Sequence, residues 1–293
     1  MLVYDSETKN KFPAFIALTR INRPIGIYLL LWPTLLALWF AADGFPPVVT
    51  LLIFVLGTVL TRSAGCAIND YADREIDGHV ARTRNRPLAT GALRPADALW
   101  AAGILMGLAF LLVLMTNRLT IMMSFVAVLL ASVYPFCKRV THFPQIVLGA
   151  AFAIATPMAY AAVQNALPLE AWVLFMAAVL WAVAYDTLYA MADREDDLKI
   201  GVKSTAIFFG RYDLLIVAVL QLLVLVLHIW LGILAERGWI YFLGLGLSLG
   251  FVAWQLWISR KREPEPCIKA FLNNHYLGML VFIALVIDYQ FFP

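Results

Sequence analysis

Nine apolar stretches, each close to the length that a helix needs to cross a bilayer, constrain this chain more than any other feature. Crossing about 30 Å of hydrocarbon takes about 20 helical residues. Runs of that order fall at roughly 21–42, 46–68, 96–115, 119–136, 144–163, 169–190, 212–234, 239–258 and 270–288. Of the 293 residues, 62% are apolar and only 14% charged, and the mean hydropathy is +0.82. A water-soluble domain carries about 25% charged residues, so a soluble fold is excluded. The sequence predicts an all-α, polytopic membrane protein, read as a single transmembrane domain over 1–293. Pro33 and Pro157 fall inside spans and are positions where a helix can kink.

Lysine and arginine placement sets the orientation. With the N-terminus on the cytoplasmic side, only Arg118 and Arg237 of the 22 basic residues fall outside. Of the 19 acidic residues, Asp43, Glu170, Glu236 and Asp288 fall outside. An error in the span count would scramble this split, so the asymmetry supports the count as well as the direction. The polar N-terminus lacks the apolar core and small-residue cleavage site of a signal peptide. The three cysteines and four histidines show no metal-ligand spacing, which argues against zinc and against a disulfide framework.

Within this apolar chain, Ala-Asp-Arg-Glu-x-Asp occurs twice, at 72–77 and 192–197. Both copies follow spans that run inward, and motif loops are expected at about 69–95 and 191–211. Asn69, Asp73 and Asp77 are spaced i, i+4, i+8, one face of a helix if the helix continues. Asp186, Asp193 and Asp197 are spaced i, i+7, i+11. Stacked carboxylates repel by about 0.2–0.5 kcal/mol per exposed pair, and by more near hydrocarbon. A cation between them is therefore expected. Carboxylate and amide oxygens favour a hard ion, Mg²⁺, which keeps positions open for phosphate oxygens. Two acidic faces at one membrane surface would clamp a diphosphate whose apolar tail lies among the spans. A single copy would read as helix-surface salt bridges, but the repetition favours chemistry. An ion transporter is the competing class. Its acids belong near the bilayer midplane, whereas these lie at one mouth.

These residues resemble the UbiA superfamily of membrane prenyltransferases. The first signature, NDxxDxxxD, is matched by Asn69, Asp70, Asp73 and Asp77, and the second, DxxYAxxDxxxD, by Asp186, Tyr189, Ala190, Asp193 and Asp197. The resemblance runs the full length and is strongest to the hydroxybenzoate branch of the ubiquinone pathway. It is carried by "RPIGIYLLLWPTLLALW", "AGCAINDYADREIDGHVARTRNRPL", "YPFCKRVTHFPQIVLGAAF", "WAVAYDTLYAMADREDDLKIGVKSTAI" and "FLNNHYLG". It implies nine helices around a central cavity, in the bacterial inner membrane, with the active site facing the cytoplasm. It implies a polyprenyl diphosphate donor, 4-hydroxybenzoate as acceptor and Mg²⁺ as cofactor, with no nucleic acid and no protein partner. Other acceptors of the superfamily are homogentisate, dihydroxynaphthoate and the haem vinyl group.

On this resemblance Asp70, Asp73, Asp186 and Asp193 are expected to be catalytic. Asn69, Asp73, Asp77, Asp193 and Asp197 are expected to hold metal. Arg139, with Lys138 beside it, is a candidate fork for the benzoate carboxylate or an ordinary basic pair at a span end. Lys203 is a candidate for the diphosphate, and Asn69 and Tyr189 for substrate contact. Arg74 and Arg194 either pair with neighbouring acids or reach phosphate, and Asp186 is either a metal ligand or the proton acceptor. Arg82, Arg84 and Arg86 either seat the donor headgroup or face lipid. Trp181 and the four histidines read as packing residues.

Overall fold

A computed structural model describes residues 11–79 and 83–292, without the side chains of His79, Lys138 and Arg139. Arg82 and the residues before Lys11 lie outside the described residues. Among those described, nine helical stretches are long and apolar enough to cross a membrane, and none forms a strand. The protein is a multi-pass membrane protein.

A short helix α1 (Phe12–Thr19) precedes the first span. The nine apolar stretches do not include it: at eight residues it is too short to cross, and the mostly polar residues 20–24 part it from α2 (Ile25–Ala42). Next come α3 (Val48–Asp73), α4 (Pro95–Val113) and α5 (Arg118–Val140). The Asn117 side chain caps α5 by accepting from the Thr120 amide at 3.0 Å.

The fifth span is broken into α6 (Pro144–Ala153) and α7 (Ala155–Gln164). Pro157 is the cause. It has no N–H for the carbonyl four residues back and its ring crowds that carbonyl. The stranded acceptor is Ala153 O, and the Thr156 hydroxyl satisfies it at 2.8 Å. Pro33 leaves α2 continuous.

Helix α8 (Leu169–Ile200) has 32 residues, about 48 Å at 1.5 Å each, well beyond the hydrocarbon thickness. Residues 191–200, expected in a loop, therefore extend the helix out of the bilayer. No breaker occurs before Gly201, whose φ of 72° ends α8 in the left-handed region. Then follow α9 (Thr205–Phe209), α10 (Asp213–Leu234), α11 (Trp239–Ile258) and α12 (Pro264–Phe291).

Helix α8 is the hub, packed against α6, α10 and α12. Of its apolar window 72% is buried, against 17% for α4 at the periphery. Small residues permit this, since helices in lipid associate by close packing rather than by hydrophobic drive. A Cβ placed on Gly149 of α6 would lie 2.9 Å from the Val179 carbonyl of α8.

The far ends of the spans also gather their few charges. Arg237 stands 3.6 Å from Asp43 and over the Tyr289 ring. Asp288 accepts from the Gly238 and Tyr241 amides, capping α11. The ends of the second and sixth spans, which carry the acidic motifs, lie at the opposite face.

Candidate functional site

A cavity of about 1230 Å³ opens between α2, α3, α5, α6, α8 and α12 at the motif-bearing end. Its mouth is lined by Asn69, Asp73, Asp77, Arg20, Arg23, Arg86, Tyr189, Asp193, Asp197 and Lys203. Further in, Phe54, Met106, Phe110, Phe125, Leu148, Phe152 and Met158 make an apolar sleeve. Both repeated motifs thus face one space.

The first motif changes conformation partway. Helix α3 ends at Asp73 and Arg74 is its C-cap, so Asn69 and Asp73 share a helical face, with Asn69 Nδ2 donating to Asp73 Oδ2 at 3.2 Å. Asp77 is not on that helix, contrary to the i+8 expectation. It sits in a 3₁₀ turn, Asp77–His79, where Arg86 Nη1 donates to both its oxygens at 2.8 and 3.0 Å. Burial pushes the Asp77 carboxyl up, and the Arg86 guanidinium opposes that shift.

Asp70, expected to be catalytic, does not line the cavity. It is fully buried behind the wall, a turn of about 100° from Asn69 on the helix. Arg20 reaches it at 2.5 Å and Arg86 at 3.1 Å. Both arginines line the cavity, so Asp70 is tied to two cations of the cavity wall and does not itself reach the space. Arg86 is thereby taken out of the lipid-facing alternative.

The second motif stays helical. Asp193 and Asp197 line the mouth, and Asp186, seven residues earlier, lies about 10 Å deeper with Tyr185 beside it. Lys203 also lines the mouth and donates to Val140 O at 3.1 Å. Its segment is buttressed by Thr205, whose amide donates to Gln145 Oε1 at 3.2 Å and whose hydroxyl is 2.7 Å from that of Thr187.

The two motif arginines turn away from the cavity. Arg74 donates to Tyr71 O at 2.8 Å, stacks on the Tyr71 ring and pairs with Glu75. Arg194 donates to Ala206 O at 2.8 Å and pairs with Asp213. Their alternative of pairing locally is the one observed. The side chains of Lys138 and Arg139, candidates for the carboxylate, lie outside the described residues.

Sequence reasoning missed Arg62. It is one of the basic residues on the inner side of the charge split, yet it lies within α3 and lines the cavity. Its Nη1 is 2.9 Å from Cys66 Sγ, its guanidinium lies over Phe152, and its Nε is buried without a hydrogen-bond partner. A cation at this depth is costly and calls for an anion. Arg62 precedes Asn69 by seven residues, as Asp186 precedes Asp193, so both lie about 10 Å inward of their motifs. The spacing was readable in the sequence, but which face of the span Arg62 occupies was not.

Among the described residues, no three acidic, histidine or cysteine side chains close on one point as a ready-made metal cage. Oxygen donors on two facing helices fit a hard ion that keeps open positions for a ligand.

The profile of the family described as "UbiA prenyltransferase family" matches residues 30–285. A relative described as 4-hydroxybenzoate octaprenyltransferase from Pseudomonas aeruginosa is 54% identical over 275 residues, 94% of this chain and 93% of its own length. One of the same description from Aliivibrio fischeri is 56% identical over 276 residues, covering 94% and 96%. Among solved structures, the apo form of a UbiA homolog from Aeropyrum pernix superposes with a TM-score of 0.80 at 20% identity, covering 89% of this chain and 97% of that one. A UbiA homolog from Archaeoglobus fulgidus bound to GPP and Mg²⁺ superposes at 0.72 and 19% identity, covering 93% and 99%.

Proposed function

The chain belongs to the UbiA prenyltransferase family, and from that premise we propose how it transfers a polyprenyl chain from a polyprenyl diphosphate to 4-hydroxybenzoate, a step of ubiquinone synthesis. The activity follows relatives more than 50% identical over 94% of the chain. The observation that carries the assignment of roles is that both acidic motifs line the mouth of one cavity whose interior is apolar.

Arg20, Arg86 and Lys203 bind the diphosphate. Asn69, Asp73, Asp193 and Asp197 offer only oxygen donors and would hold Mg²⁺. When bound, the ion neutralises charge on the departing diphosphate. The donor's tail lies along the sleeve, with the allylic carbon just inside the acids. The bond between that carbon and the diphosphate oxygen breaks, and the electron pair leaves with the oxygen. The sleeve excludes water from the allylic cation, and aromatic faces such as Phe152 and Tyr134 stabilise it.

The acceptor lies at the depth of Arg62 and Asp186. Arg62 takes the carboxylate, which satisfies a cation otherwise stranded in a span. The ring carbon ortho to the phenol and meta to the carboxylate bonds to the allylic carbon. Asp186 accepts the ring proton that leaves as aromaticity returns. The motif-bearing face is cytoplasmic in this reading, in a bacterial inner membrane, on the strength of the basic residues gathered there.

The test is mass spectrometry of products from purified protein given 4-hydroxybenzoate and donors of several chain lengths. A ring-prenylated product that disappears with EDTA and returns with Mg²⁺ is expected. Product formation undiminished by EDTA, or no product from any donor, contradicts the proposal.

A further inference from the structure

Among the described residues, Asp213 is the one fully buried carboxylate at the motif-bearing end, besides Asp70, that does not line the cavity, and the catalytic scheme makes no use of it. It opens α10, and three elements converge on it. Arg194, at the outer end of α8, pairs with one oxygen. Arg262, in the turn between α11 and α12, donates through Nε at 3.0 and 3.1 Å and through Nη2 at 2.8 Å. The Leu214 amide donates at 2.6 Å. Arg262 adopts a left-handed backbone with φ of 59°, uncommon for a side-chain-bearing residue, and its Nη2 also reaches Arg211 O at 2.9 Å. Arg194 continues the chain of contacts to Ala206 O, in the short helix that follows Lys203.

This cluster sits where α8 has left the lipid and lost the packing that holds its membrane half. Asp193 precedes Arg194 directly, and Asp197 follows it by three residues. Arg194 does not line the cavity and leaves α8 about 100° round from Asp193, so pinning it fixes the rotation of the helix that presents both acids. The same arginine fixes the segment after Lys203.

We propose that Asp213 is a positioning residue for the reaction: through Arg194, and braced by Arg262, it sets the aim of Asp193, Asp197 and Lys203 at the diphosphate and its metal. The inference rests on the prenyl-transfer reading above. Its signature is a weakened metal site rather than lost chemistry. Substitutions that loosen the support of metal ligands typically cost roughly ten- to a hundred-fold in metal affinity.

The test uses the purified full chain in detergent, as parent, Asp213→Asn, Arg262→Met and Asp193→Asn. Mn²⁺ binding is read by the free-ion EPR signal, prenyl transfer is titrated with Mg²⁺, and thermal unfolding is followed. Asp213→Asn is expected to weaken Mn²⁺ binding and raise the half-saturating Mg²⁺ by about tenfold. At saturating Mg²⁺ its turnover is expected within twofold of the parent, with the KM for 4-hydroxybenzoate unchanged. Arg262→Met is expected to shift both in the same direction by less, and it decides the matter if Asp213→Asn does not fold. Mn²⁺ binding and Mg²⁺ dependence like the parent's in a folded variant overturn the proposal. So does lost turnover that no Mg²⁺ concentration restores while Mn²⁺ binding is intact. Asp193→Asn separates the two readings: if it binds Mn²⁺ and turns over as the parent does, the metal assignment itself fails.

Discussion

Arg86 holds Asp77 through a single nitrogen placed 2.8 and 3.0 Å from its two carboxylate oxygens. The same nitrogen lies 3.1 Å from Asp70. One cation thus ties the turn after α3 to the buried face of α3 while lining the cavity. The first acidic motif is therefore two devices. Asn69 and Asp73 line the cavity mouth, and Asp70 and Asp77 hold the arginines around it.

Removing Arg86 leaves two buried carboxylates short of a partner. Breaking a buried pair from one side costs about 3–5 kcal/mol, and Arg20 still serves Asp70, so Arg86→Met is expected near the lower end. Thermal unfolding in detergent checks the stability, and a raised KM for the polyprenyl diphosphate checks the site. Asp77→Asn is expected to raise the same KM by freeing Arg86, with a smaller loss of stability.

Arg62 is expected to govern the acceptor alone. A hydrogen-bonded charged group contributes about 1.5–3 kcal/mol, so Arg62→Gln should lower kcat/KM for 4-hydroxybenzoate by roughly 10- to 100-fold with the donor KM little changed. The parent should reject 4-hydroxybenzamide, and the variant should discriminate far less between the acid and the amide. Equal loss for both acceptors would place the carboxylate elsewhere.

Gly26 offers a gentler version of the same test. A Cβ there would come 2.3 Å from Arg62 Nε and 2.6 Å from its Nη2. These atoms end a flexible side chain, so Gly26→Ala displaces the guanidinium rather than the backbone. The expected outcome is a raised KM for 4-hydroxybenzoate with an unfolding midpoint near the parent's.

Gly149 behaves differently, because its neighbour is backbone. A Cβ would meet the Val179 carbonyl at 2.9 Å and Ala182 Cβ at 3.2 Å, and neither can swing aside. Gly149→Ala must part α6 from α8, at the cost of about 1–3 kcal/mol typical of overpacking. A lowered unfolding midpoint is expected, with activity lost in proportion to folded protein.

The spans were legible because hydrocarbon thickness imposes one length on every crossing helix, and the break at Pro157 because proline strands a known carbonyl. The pairing of Asn69 and Asp73 with Asp193 and Asp197 was legible from repetition and parity, since the second and sixth spans end at the same face. What escaped was rotation and reach. Helical spacing placed Asp77 on a helix that ends at Asp73, because the sequence did not mark where α3 unwinds. Arg62 looked like an ordinary cytoplasmic base, since an apolar span does not declare which face lines a cavity. Arg74 and Arg194 occupy equal places in the repeat, and each is followed by a glutamate, but only the fold shows that Arg74 keeps Glu75 while Arg194 pairs with Asp213 instead.

The central claim is that both acidic motifs meet one diphosphate, and the direct measurement is an experimental structure with Mg²⁺ and an unreactive thio-diphosphate analogue of the donor. The account predicts the diphosphate at the cavity mouth, joined through Mg²⁺ to Asp73 on one side and Asp193 on the other, with the chain running along the sleeve past Phe152. A diphosphate bound away from either aspartate, or held with only one motif in reach, would contradict it.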